Sequence, residues 1–210
     1  TLDQPMPAVL KVTAIDGTTG EDMAVRLDLV GPDTRRINVI DGMEIRLPAG
    51  DWSGTASHGW HYTVNEKEFT LEAGKTTEWA VRLDLVVPTP GWASGEFHQH
   101  ASPSLDSQRP ATELVKANVA EGIDFMVPSD HDILVDYSTF AVALNVSNRI
   151  GTPLTGVEVS PSYGHFGAYG LTPDGDKAAG GAPPLGIRED EFWRSLEAPE
   201  LIAWVRKNGA

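Results

Sequence analysis

The stretch Val87-Pro88-Thr89-Pro90-Gly91-Trp92-Ala93-Ser94-Gly95-Glu96-Phe97-His98-Gln99-His100 decides how this chain is read. Pro88, Pro90 and Gly91 interrupt every regular pattern, and the sequence on either side of them differs in kind. Upstream, short apolar–polar alternations are separated by turn residues, as in an all-β sandwich. Downstream, strand-like and helix-like segments alternate, which predicts a parallel sheet with covered faces. The expectation is a multi-domain chain: an N-terminal all-β sandwich over residues 1-87 and an α/β domain over residues 91-210.

In the upstream part, Leu10, Val12 and Ala14 share one face of a strand, while Val9, Lys11, Thr13 and Ile15 share the other. Val25, Leu27 and Leu29 point inward, with Arg26 and Asp28 toward water. Runs at Ile37–Ile40 and Met43–Leu47 flank Asp41-Gly42, a two-residue hairpin signature. Further strands are predicted at Trp52–Ser57, Glu68–Leu71 and Thr77–Leu85, the last turning Trp79, Val81, Leu83 and Leu85 inward. Trp52, Trp60 and Trp79 are core candidates before they are a sugar-stacking face, and His58 and His61 read as turn or surface residues.

Downstream, Gly95–His100 is a strand candidate and Pro110–Glu121 a helix opened by Pro and closed by Gly122. Ile123–Pro128 and Leu154–Val159 read as strands, Tyr137–Arg149 and Pro199–Asn208 as helices, and Thr172–Gly186 as a surface loop.

The 210 residues carry 30 acidic and 16 basic side chains, a formal net charge of −14. Such a surface repels phosphate backbones and anionic headgroups, so neither nucleic acid nor membrane is an expected partner. With no cysteine, thiolate metal sites, disulfides and cysteine catalysis are excluded. No apolar run approaches the roughly 20 residues of a membrane span. The chain opens on Thr1 rather than Met, as after removal of a signal peptide or tag; a periplasmic or secreted protein is the expectation, with a cytoplasmic one the alternative, because the lack of cysteine leaves the compartment open.

Four of the six histidines fall at predicted strand ends. His98 and His100 are two apart, so on a strand they face the same way and can clasp one ion. Asp130 and His131 follow the apolar run Phe125-Met126-Val127-Pro128, Glu158 ends Thr155-Gly156-Val157-Glu158, and His165 follows Tyr163-Gly164. Singly, each has a bland reading: a chance His-x-His, a capping Asp, a solvated edge Glu, a core His. Their conjunction in chain order at successive strand ends points to a metal site. Imidazole and carboxylate donors without thiolate suit zinc, manganese or iron, and the mixture suits more than one ion.

These motifs, Gly91 to His100, Pro128-Ser129-Asp130-His131-Asp132, Gly156-Val157-Glu158 and Gly164-His165-Phe166, resemble those of the PHP (polymerase and histidinol phosphatase) metallohydrolase superfamily. The likeness is strongest to its CehA/McbA-like subgroup, where a β-sandwich commonly precedes the catalytic domain; here that sandwich would be Ig-like or carboxypeptidase-regulatory-like. The resemblance covers Gly91 onward. It implies a distorted (β/α) barrel with two or three divalent ions at the C-terminal strand ends. It implies His98 and His100 as first-motif ligands, His131 as second, Glu158 as third and His165 as fourth. Asp130 precedes the second-motif histidine, as a ligand or a support to one, and Asp106 stands loosely where a family aspartate follows the first motif. Asp130, His131 and His165 are also the candidate catalytic residues.

The family pattern runs on past Gly209-Ala210, and only about three strand–helix units are legible, whereas a barrel typically takes about 250 residues. The expectation is therefore the N-terminal part of a PHP-type domain, completed by the remaining C-terminal part as a second chain or by an oligomer partner, with weak or absent turnover alone. The expected function is a metal-dependent hydrolase acting on a small molecule, a phosphoesterase first. Carbamate or ester cleavage of the CehA/McbA type is one alternative, and a binding module with a vestigial metal site is another. Phosphate recognition favours Arg or Lys. Between His98 and His165 only Arg109, Lys116 and Arg149 are basic, and only Arg109 lies outside a predicted helix. Tyr163 and Tyr169 flank His165 as possible substrate contacts.

Overall fold

A computed structural model describes residues 6–189 and 192–209. The chain forms two compact units, one holding the residues up to Ala93 with Lys116–Ile123, the other Ser94–Val115 with the residues from Asp124 onward.

Among its described residues the first unit contains seven strands: β1 (Ala8–Asp16), β2 (Val25–Val30), β3 (Thr34–Val39), β4 (Met43–Leu47), β5 (Gly50–Ser57), β6 (Asn65–Leu71) and β7 (Thr76–Leu83). They form a three-stranded sheet β4-β1-β7 and a four-stranded sheet β3-β2-β5-β6. Leu10, Val12, Val81 and Leu83 of the first share one buried core with Leu27, Leu29, Trp52 and Ala56 of the second. Residues alternate in and out with period two, so each strand gives one apolar face to the sandwich. Trp52 and Trp79 are core residues, whereas Trp60 is 95% exposed. His58 donates from Nδ1 to the Ala24 carbonyl at 2.8 Å.

Two expectations fail here. Asp41 and Gly42 do take the positive φ angles of a tight hairpin, 55° and 74°. Yet β3 pairs with β2 and β4 with β1, so the turn carries the chain from one sheet to the other. Local turn chemistry fixes dihedrals, while the burial of both flanking strands against the common core fixes partners. Leu85 is exposed and outside the sandwich core: β7 ends at Leu83, and the chain beyond it bridges to the His61–Thr63 segment.

The second unit has shorter elements: β8 (Gly95–Glu96), β9 (Phe125–Met126), α2 (Ser138–Ala143), β10 (Gly156–Val159), β11 (Phe166–Tyr169), β12 (Gly186–Glu189), β13 (Phe192–Ser195) and α3 (Ala198–Lys207). Helix α1 (Ala111–Ala120) precedes β9. Parallel pairing exists but is brief: β8 with β9, then the single bridges Phe125–Gly151 and His131–Glu158. β10–β11 and β12–β13 are antiparallel hairpins that periodicity does not announce. The helix expected over residues 137–149 stops at Ala143, since Asn145 enters the left-handed region at φ 57°. Within the expected loop, Ala178–Gly181 makes a 3-10 turn, and β12 begins at Gly186. A core of Val157, Val159, Ala168, Leu171, Leu196 and Leu201 lies under β10, β11 and α3. Among the described residues no helix is long and apolar enough to cross a membrane.

Candidate metal centre

β10 supplies the centre's key side chain. Val157 and Val159 point into the core, so Glu158 between them points the opposite way. Its residue is 7% exposed. Oε2 lies 2.8 Å from His98 Nε2 and 2.9 Å from His100 Nε2, and Oε1 lies 2.9 Å from His165 Nδ1. Burial pushes the Glu158 carboxyl pKa up, but hydrogen bonds from His98 and His165 and the charges of His131 and His98 outweigh it, holding it below the usual range.

His98 and His100 do not ride on a strand as expected. β8 ends at Glu96, and both follow it in chain outside any strand. Other contacts hold that chain in place. Tyr169 donates from its hydroxyl to the Phe97 carbonyl at 3.0 Å, and the Phe97 ring packs edge-on against Phe125 and Tyr169. Ser129 clamps Gln99, accepting from its N–H at 2.9 Å and donating to its carbonyl at 3.1 Å. The next residue, Asp130, accepts the Ala101 N–H at 2.8 Å. Ser129 and Asp130 thus hold the backbone on both sides of His100. The two imidazoles stack at 5.2 Å with 28° between planes.

The hairpin β10–β11 explains His165. A turn closed by the Gly164 N–H to the Pro161 carbonyl precedes β11, and the register sets Val159 opposite Phe166. His165, one residue before β11, therefore returns beside Glu158. His131 is brought alongside by the parallel bridge to Glu158, and its ring meets His100 at 4.6 Å and His165 at 5.0 Å.

Asp106 enters from the loop after His100. Ser104 donates to Asp106 Oδ1 at 2.6 Å and accepts the His131 N–H at 3.0 Å. Asp106 Oδ1 is 3.1 Å from His100 Nδ1, and Oδ2 is 3.5 Å from His131 Nε2. The Ser104 hydrogen bond, aided by His100, lowers the Asp106 pKa to about 2.

Three overlapping groups result: His98, His100 and Glu158; His100, Asp106 and His131; His131, Glu158 and His165. In each, the donor atoms lie within 4.8 Å of one another. Imidazole nitrogens and carboxylate oxygens that close suit zinc, manganese or iron, and the sharing of His100, His131 and Glu158 suits adjacent ions.

Of the six residues singled out as ligands, five meet here. Asp130 does not join the three groups. Its other oxygen accepts the Tyr137 hydroxyl at 2.8 Å, and burial raises its pKa against the Ala101 and Tyr137 hydrogen bonds. Both oxygens serve the scaffold. Arg109 is exposed, its carbonyl accepting the Ser102 N–H at 2.7 Å to close the loop that carries Asp106. Tyr163 donates to the Leu196 carbonyl at 3.0 Å, and Tyr169 is committed to Phe97. The sequence reading passed over Ser104, Ser129, Tyr137 and Ser160; hydroxyl residues near a ligand motif were the available signal.

No protein-family model matches the chain, and no curated protein does. Among solved structures, the chain is similar to the Bacillus anthracis TIE protein (12% identity, TM-score 0.34, 49% of this chain and 20% of that one). It is also similar to GBS52, the minor pilin of Streptococcus agalactiae (20% identity, TM-score 0.29, 43% and 49%). A third likeness is to Klebsiella pneumoniae 5-hydroxyisourate hydrolase (17% identity, TM-score 0.27, 36% and 90%). The chain spans a fifth of the first of these proteins and about half of the second.

Proposed function

We propose that the chain is a metal-dependent hydrolase of the PHP kind, its second unit being the N-terminal part of a PHP-type barrel and its small-molecule substrate a phosphoester. The observation that carries this reading is Glu158, a buried carboxylate whose two oxygens face three imidazoles inside three overlapping ligand groups. Desolvating a carboxylate is costly unless cationic partners meet it. Four imidazoles and two carboxylates are a fitting donor set for divalent ions. Such ions supply a lowered water pKa near neutrality and stabilisation of negative charge developing on substrate oxygen.

In this reading the chain's own residues have distinct tasks. Glu158 and Asp106 set the local negative charge that attracts cations. His98, His100, His131 and His165 present nitrogen donors, with His131 and His165 nearest to any proton transfer. Asp130 positions His100 and His131 through the backbone and does not touch the reacting atoms. Release into an extracytoplasmic compartment belongs to the same proposal.

A carbamate or carboxylic ester is the second reading. It is favoured by the scarcity of basic side chains that could clamp a phosphate: between His98 and His165 the sequence offers only Arg109, Lys116 and Arg149. Zinc- or manganese-loaded protein, assayed side by side on an aryl phosphate and an aryl carbamate, separates the two. Cleavage of either that disappears in His100→Ala supports the hydrolase. No metal-dependent cleavage of either ester class by protein that has taken up metal argues for a binding role instead.

A further inference from the structure

Ser160 stands just past the end of β10, outside the three ligand groups, yet it touches both His131 and Glu158. Its Oγ lies 2.6 Å from His131 Nδ1, and the same hydroxyl donates to the Glu158 carbonyl at 3.2 Å. The Ser160 N–H donates to Asp132 Oδ1 at 2.9 Å, and the Asp132 N–H donates to that same Glu158 carbonyl at 3.0 Å. Asp132 makes this brace from the left-handed region, at φ 54°, which aspartate tolerates better than most residues.

A serine hydroxyl has one proton, and a backbone carbonyl can only accept. With that proton directed to the Glu158 carbonyl, Oγ is left as an acceptor, and its partner Nδ1 must carry hydrogen. His131 then holds its lone pair on Nε2, the nitrogen facing Asp106 Oδ2 at 3.5 Å and Glu158 Oε2 at 3.9 Å. The opposite tautomer forfeits the carbonyl contact and aims an N–H at the ligand groups, where it blocks a cation.

We infer that Ser160, braced by Asp132, is a positioning residue that holds His131 in its Nδ1–H tautomer and so presents Nε2 to a divalent cation. This rests on the metal-site reading above. Partners on the far nitrogen of a metal-binding imidazole commonly fix its ring and tautomer, and their loss typically costs about 10–100-fold in metal affinity.

The test uses the full chain, labelled with 15N and titrated with zinc. Long-range proton–nitrogen correlation spectra are expected to show His131 protonated at Nδ1, with a slowly exchanging proton. Ser160→Ala is expected to weaken zinc binding about 10–100-fold and to make that proton exchange fast; Ser160→Thr, which keeps the hydroxyl, is expected to restore both. His131 protonated at Nε2 in the zinc-loaded wild type overturns the inference, and that spectrum decides even where Ser160→Ala fails to fold. Zinc affinity in a folded Ser160→Ala equal to wild type also overturns it while leaving the metal site standing. A wild-type chain that takes up no zinc removes the metal-site reading and this inference together.

Discussion

At the scale of single residues, Glu158 and Asp130 show how two acidic side chains, both buried, come to opposite uses. Glu158 faces imidazoles, which are replaceable partners for a cation, whereas Asp130 has spent its oxygens on an amide and a phenol. The isosteric Glu158→Gln substitution keeps the shape and removes the charge shared by two ligand groups. It is expected to cost more than about 100-fold in zinc affinity, beyond the usual cost of losing an outer partner. Calorimetric titration checks this, and an affinity within a few-fold of wild type contradicts it. Asp130→Ala is expected instead to reduce folding stability by about 2–4 kcal/mol, because the Ala101 amide and Tyr137 hydroxyl lose their buried acceptor. Urea unfolding measures that loss, and an unchanged midpoint contradicts the scaffold role. Histidine spacing made His98, His100, His131 and His165 legible in sequence, since imidazole has few alternative uses at a strand end. Asp106 was only loosely legible and Ser160 not at all, because loop conformation, set by tertiary contacts, decides what a serine or aspartate meets.

At the scale of elements, long strands were read well and short ones poorly. β1, β2 and β7 are six to nine residues long and repeat their alternation often enough to be recognised. β8 and β9 are two residues each, too brief for any period, and exist because neighbouring chain pairs with them. Within the sandwich, Gly54 on β5 is a packing requirement: a Cβ there would sit 2.6 Å from the Trp79 ring. Gly54→Ala is therefore expected to destabilise the protein by about 1–3 kcal/mol through overpacking, measured by denaturant unfolding. A neutral effect means the Trp79 ring yields freely. Helix α3 opens with a capping box in which the Glu197 and Glu200 side chains each bond the other's backbone N–H. The Arg194 side chain, then the Glu197 backbone N–H, lower the Glu200 pKa from its ordinary 4.5 to about 2. A depressed folded-state pKa stabilises above the unfolded value and loses that contribution as pH falls through the folded one. The difference in melting temperature between wild type and Glu200→Gln should thus be full at neutral pH and vanish between pH 4.5 and about 2. A difference independent of pH across that window contradicts the ion pair's role.

At the scale of the whole molecule, composition foretold two kinds of architecture, and the sandwich followed. Strand partnership did not, because Asp41-Gly42 specifies a turn and says nothing about which sheet receives the next strand. The expected parallel, helix-covered sheet is replaced by brief parallel pairings and two hairpins, since β11, β12 and β13 lie in stretches that carried no periodic signal. The formal charge of −14 also acts at this scale, drawing cations toward the molecule without selecting any. Selection must come from the site. The most direct test is elemental analysis of protein loaded with zinc, manganese or iron and then dialysed, compared with a His98→Ala/His100→Ala variant. Roughly two to three tightly held equivalents per wild-type chain, lost in the variant, is the predicted result. Metal that dialyses away from both proteins alike would contradict the claim that these residues form a metal centre.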